Sequence, residues 1–175
     1  NRPIPTHPEV WPGPRADNAA RDLLAGALAA GADRFVVLDL TGSAGDAERW
    51  ADLGRRLQDL LGLTPVLVGS AAADAAVAQA VAEALGGTAV NTVGKASTDA
   101  LLGILRRADL HIGSADALEH LAAASGVPVV MIGDGAAVPP WGVAAAIVTP
   151  EGQGGFRPTV VMEAARHVLH AARRL

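Results

Sequence analysis

The stretch ADLHIGSADALEHLAAASGVPVVMIG, residues 108–133, decides the fold. Two apolar runs, 108–112 and 127–133, flank a segment of helical pattern. The runs are nearly continuous in apolar character and do not alternate, which marks strands buried on both faces, as in a parallel sheet. The joining helix carries Asp116, Glu119 and His120 in its first turn, which a plain connector between two buried strands does not need.

Outward from this unit the same alternation recurs. Strands are predicted at 34–40, 65–69, 88–91, 109–113, 127–133 and within AAAIVTP, residues 144–150. Helices are predicted near 47–61, 71–85, 98–107 and 116–124, and an amphipathic helix opening near Pro158 closes the chain. Strands that alternate with helices give an α/β, doubly wound, Rossmann-like parallel sheet with right-handed crossovers. Residues 1–16 hold five prolines and read as an extended arm or linker, pinned by Trp11. Residues 17–175 form the domain, with a first helix capped by Asp17 or Asn18 and stopped at Gly31.

Composition narrows the function. The chain has 175 residues, half of them hydrophobic, enough for one well-cored domain. It has no cysteine, which removes disulfides and thiolate chemistry. A formal charge of −4, with Lys95 the single lysine, gives no electrostatic case for nucleic acid or an anionic membrane. No apolar run approaches the ~18 residues that span a bilayer.

Ligands of such sheets bind beyond the carboxyl ends of the strands, so the loops TGSAGDA (41–47), GSAAAD (69–74), NTVGKAS (91–97), GSADALEH (113–120) and GDGAAVPPWG (133–142) frame any site. The helix start at 116 offers free N–H groups and a dipole to an anion. Helix capping explains Asp116 and Glu119 equally well, as a pair of the capping-box kind; it leaves His120 unexplained. The glycine- and hydroxyl-rich loop Thr41–Gly42–Ser43 admits close backbone approach to a phosphate, but it lacks the GK[ST] ending of a P-loop and the GxGxxG fingerprint. Taken alone the loop is a weak signal, and the residues favour a plain strand–helix turn. Lys95 is placed to meet a phosphate or simply to stay in water, and Ser97 or Thr98 caps the helix that follows. His167 and His170 lie one turn apart with no third ligand in sequence reach, so they read as surface residues and not as a metal site. His7 and His111 have no assigned role. No GxSxG elbow is present.

From about residue 18 onward the order of these pieces resembles the C-terminal half of glycosyltransferase family 9, the heptosyltransferase-like enzymes. The resemblance implies one half of a GT-B fold, the half that holds a nucleotide-sugar donor, typically ADP-heptose. The family's GKTSL element appears as GKAST, matching Gly94, Lys95 and Ser97, and Asn91 falls at a ribose-contacting position. Its GNDSGPMHLAA element appears as GSADALEHLAA, matching Gly113, His120, Leu121, Ala122 and Ala123. There the first turn of the helix grips the donor diphosphate, which implies a donor-site role for Asp116, Ala117 and His120. Trp50 matches a family tryptophan. The family's HPG is replaced by Asp39-Leu40-Thr41, its diphosphate glycine by Ala117, and the basic residue two before its tryptophan by Glu48.

The donor set implied by the resemblance is therefore Thr41, Gly42, Ser43, Asn91, Lys95, Ser97, Asp116, Ala117 and His120, with no catalytic residue, metal or cofactor in this domain. The implied partners are a nucleotide-diphosphate sugar, foremost an ADP-sugar, and an acceptor-binding domain or chain that supplies the general base. The implied location is cytoplasmic, reaching the inner membrane only through that other domain. Glu48, Asp116 and Glu119 would crowd three carboxylates around the diphosphate, so the expectation is weak donor binding and no sugar transfer by this chain alone. Two other functions remain open: a non-catalytic relative kept for binding or assembly, and another nucleotide-binding Rossmann-like module.

Overall fold

The computed structural model describes residues 9–10, 12–42, 46–70, 72–114, 117–134, 136–152 and 155–173. They form a six-stranded parallel sheet in the order β3-β2-β1-β4-β5-β6. The strands are β1 (Phe35–Asp39), β2 (Thr64–Val68), β3 (Val90–Asn91), β4 (Ala108–Ser114), β5 (Val129–Ile132) and β6 (Ala145–Val148). The helices are α1 (Pro14–Ala29), α2 (Ala47–Leu61), α3 (Ala72–Ala84), α4 (Thr98–Leu105), α5 (Ala117–Ala124) and α6 (Pro158–Ala172). This is the doubly wound, Rossmann-like arrangement that the alternation predicts, with the chain reversing direction across the sheet between β1 and β4.

Two cores result, one on each face. Val36, Leu38 and Leu40 join Trp50, Leu53 and Leu57 of α2, Val77 and Val81 of α3, and Val161 and Val168 of α6. Phe35 and Val37 point the other way, toward Ala20 and Leu24 of α1, Ile104 and Leu105 of α4, and Ala122 and Ala123 of α5. The strand period of two makes this division. It also sends Asp39 to the face shared with α5.

The partner face of β4 depends on one irregularity. Phe35 pairs with Ala108 but Val36 pairs with Leu110, so Asp109 is an extra residue. Its carboxylate accepts the Phe35 N–H at 3.1 Å and pairs with Arg34 at 3.2 Å, so the side chain of the extra residue takes up a backbone donor at the bulge. Beyond it Val37 stands opposite His111. A one-residue slip exchanges the faces of a strand, and here the bulge aims His111 and Gly113 at α5.

The first helix begins earlier than its sequence suggests. Gly13 is the N-cap and Pro14 the first helical residue, so the cap is neither Asp17 nor Asn18. Proline at this position has no N–H that the helix needs, and its φ is already helical. Residues 1–8 and 11 of the arm, Trp11 among them, lie outside the described residues. Val10 donates its N–H to the Ala124 carbonyl at the end of α5. No helix among the described residues is long and apolar enough to cross a membrane.

Candidate functional site

At the carboxyl end of β1 the chain turns sharply. The Thr41 N–H and hydroxyl both donate to Asp39 Oδ1, at 3.0 and 2.7 Å. Gly42 then takes φ +70, a left-handed conformation open to glycine at no steric cost. Its N–H donates to Oδ1 of Asp74, while Ser70 N–H donates to Oδ2 of the same carboxylate at 2.9 Å. Asp74 is buried in the first turn of α3 and ties the loops after β1 and β2 together. Asp74→Ala leaves two backbone donors without this acceptor and is expected to cost about 1–3 kcal/mol by urea denaturation.

These loops wall a cleft of about 590 Å³. Asp39 lies at its floor; Thr41, Gly69, Ser70, Gly94, Ser97 and Thr98 line its polar side. Leu101 of α4 and Leu118 and Leu121 of α5 line its apolar side, with Ala117 at the start of α5. The N-termini of α4 and α5 both border the space. Ser97 caps α4, its hydroxyl accepting the Ala100 N–H at 3.2 Å. Larger hollows of about 710 and 640 Å³ lie elsewhere, one beside β6 and α6, the other under α1 and the starts of β2 and β3. The topological rule favours the cleft at the strands' carboxyl ends.

Of the donor residues implied by the sequence, the cleft gathers Thr41, Ser97 and Ala117. Gly42 stands behind it, bonded to Asp74. Asn91 faces the hollow under α1, and its side-chain oxygen accepts the Val93 N–H. Lys95 is exposed and donates to the Asn91 carbonyl at 3.3 Å. His120 is exposed on α5 and is not part of the cleft lining. Ser43 and Asp116 lie outside the described residues. The expected crowd of carboxylates is rearranged as well. Glu48 is exposed on α2, away from the cleft, and Glu119 is turned into the core. Among the described lining residues the single acid is Asp39, and none is Lys or Arg.

Glu119 does not stand in water as the partner of a helix cap. It is 0 % exposed, with Oε1 3.8 Å from Nε2 of His111, itself 0 % exposed. Asp39 completes a cluster in which one ligand atom from each residue lies within 4.8 Å of the others. Burial pushes the Asp39 carboxyl above the ordinary carboxylate range; the Thr41 hydrogen bonds and nearby His111 pull against that, and Glu119 adds to it. Three buried titratable groups can hold a shared proton or a cation. The sequence signal for them was a histidine inside an otherwise apolar strand run.

The fold and cleft can be set beside known proteins. The family model for Glycosyltransferase family 9 (heptosyltransferase) matches residues 45–152, more than half the chain. The chain belongs to glycosyltransferase family 9. The matched segment runs from α2 through β6 and includes His111 and Glu119, while Asp39 lies before it. A family 9 glycosyl transferase from Veillonella parvula superposes with a TM-score of 0.76 at 18% identity, over 93% of this chain and 54% of that one. E. coli ADP-heptose LPS heptosyltransferase II gives 0.71 at 17% identity, over 97% and 56%. E. coli heptosyltransferase WaaC with ADP gives 0.61 at 20% identity, over 81% and 46%. No curated protein matches the chain. The chain spans about half the length of the solved structures it resembles.

Proposed function

We propose that this chain is the nucleotide-sugar donor domain of a family 9 glycosyltransferase, with an ADP-sugar as the foremost donor and a cell-surface glycan or metabolite as acceptor. The observation that carries the reading is the cleft of about 590 Å³ at the carboxyl ends of β1–β3, bordered by two helix N-termini. Its apolar side, Leu101, Leu118 and Leu121, suits a flat base. The Ser97 and Thr98 hydroxyls and the two bordering helix N-termini suit ribose and phosphate oxygens. The likeness to WaaC with ADP supports the choice of nucleotide.

In this reading the domain stabilises the departing nucleoside diphosphate as the bond from the anomeric carbon to the phosphate oxygen breaks. Ala117 at the start of α5 meets the growing negative charge, which is where such stabilisation lowers a barrier. The general base that takes the acceptor's hydroxyl proton comes from an acceptor-binding domain or chain. A donor domain alone therefore transfers no sugar.

A second reading, a non-catalytic relative, is favoured by one observation: the described cleft lining has no cation to balance a diphosphate. Calorimetry with ADP and UDP separates the two. A donor domain binds ADP at micromolar to millimolar concentration. Ala117→Trp, at the cleft mouth, weakens that at least tenfold, about 1.4 kcal/mol, while His120→Ala changes it less than about twofold. Absence of binding by a folded chain selects the non-catalytic reading. Loss of binding on His120→Ala alone moves the site to the outer face of α5.

A further inference from the structure

Beneath the cleft, three elements converge on one point. Asp39 ends β1, His111 and Gly113 share a face of β4, and Glu119 comes down from α5. A Cβ built on Gly113 would lie 2.8 Å from Asp39 Cβ, 3.1 Å from Glu119 Oε1 and 3.2 Å from His111 Nε2. The three side chains thus close around the space that this glycine leaves. Neither ring nitrogen of His111 has a hydrogen-bond partner among the described residues, although the side chain is fully buried. Buried polar atoms are nearly always bonded to something, so an imidazole aimed at two carboxylates calls for an occupant.

We propose that Asp39, His111 and Glu119 form a binding site for a divalent transition-metal ion at the floor of the cleft. One imidazole nitrogen and two carboxylate oxygens are the donor set that Zn²⁺ accepts, whereas Mg²⁺ and Ca²⁺ favour oxygen alone. The charges balance: two carboxylates offset two positive charges inside a low-dielectric core. The distances allow it. Ligands at about 2.1 Å from one ion stand no more than about 4.2 Å apart. The His111–Glu119 pair, at 3.8 Å, already meets this, and the 4.8 Å envelope of the cluster asks for about half an ångström of closure. Asp39 is arranged as ligating carboxylates usually are: Oδ1 accepts two hydrogen bonds from Thr41, and Oδ2, which has no partner among the described residues, is left to bind. Because Asp39 also reaches the cleft, the ion would bring positive charge to a lining whose described residues include no Lys or Arg. The site stands on its own residues whether or not the cleft takes a nucleotide.

The test uses metals alone. The purified chain is stripped with EDTA, then titrated with Zn²⁺ by calorimetry and with Co²⁺ by visible absorption. One equivalent is expected to bind, with the d–d bands of a low-symmetry Co²⁺ site. The near-isosteric Asp39→Asn and Glu119→Gln variants should each weaken Zn²⁺ at least tenfold while their far-UV circular dichroism stays that of wild type. His167→Ala/His170→Ala should bind as wild type. His111→Ala opens a buried cavity and is only confirmatory. Absence of Zn²⁺ and Co²⁺ binding by the folded wild-type chain overturns the proposal in favour of a proton-sharing cluster. Full retention of binding in both carboxylate variants, or its loss in the His167/His170 pair, overturns it as well.

Discussion

Trp50→Ala should be among the most damaging single changes in this chain, with a loss of about 3–5 kcal/mol. Trp50 is 2 % exposed on α2 and meets Phe156 edge-on, ring centroids 4.8 Å apart. Aromatic residues make up only 3% of the sequence, so the cavity would be bordered by Leu, Val and Ala side chains that cannot swing in to fill it. At ~2–4 °C per kcal/mol for a chain of this size, the melting temperature should fall by roughly 10 °C. Trp50→Phe should cost far less, about 1 kcal/mol. It gives up some contact area but also removes Nε1, a buried donor with no hydrogen-bond partner among the described residues, whose burial costs about 1–3 kcal/mol. A double-mutant cycle with Phe156→Ala should return a coupling of about 0.5–1.5 kcal/mol for the ring pair. Equal losses for Trp50→Phe and Trp50→Ala in urea would mean that ring shape outweighs the stranded N–H.

The two levels of this molecule were legible to different degrees. Apolar runs such as 35–39 and 129–132 announce themselves because a strand buried on both faces has no polar position to spare. The start of α1 was hidden because proline reads alike in a linker and at a first helical position; only the backbone around Gly13 tells them apart. The site was harder still. Glu119 and His120 are neighbours in sequence, but each helical step turns a side chain by ~100°. The usual rule puts the acid in water; here the acid is buried and the imidazole exposed. What reverses the rule is His111 on β4, the strand before α5, together with Asp39, which is far away in sequence and adjacent only through the β1–β4 pairing. Neither periodicity nor a local motif contains that proximity.

Helix–helix contact yields the second large effect, and its sign depends on place. In the interior of α4, Gly103 faces α1 so closely that an added Cβ would fall on the Ala16 carbonyl oxygen, 2.7 Å from its carbon and 2.8 Å from Ala20 Cβ. The obstacle is mostly backbone, so it cannot rotate aside. Gly103→Ala gains about 1 kcal/mol of helix propensity but must drive α1 and α4 apart, and overpacking costs about 1–3 kcal/mol or more. With backbone as the obstacle, a net loss of about 2 kcal/mol is expected, or roughly 4–8 °C in melting temperature. Gly26 is the control. It is an exposed residue inside α1 with nothing within 4 Å of its added Cβ, so the same substitution should stabilise by about 0.5–1 kcal/mol. The pair also tests the cleft. Helix α4 carries Ser97 at its cap and Leu101 into the lining, and displacing it from α1 moves both. On the donor-domain proposal, Gly103→Ala should therefore weaken ADP binding while Gly26→Ala leaves it unchanged. Equal ADP affinity in the two folded variants would mean that α4 can shift without the nucleotide noticing, and the base would then have to rest against α5 alone.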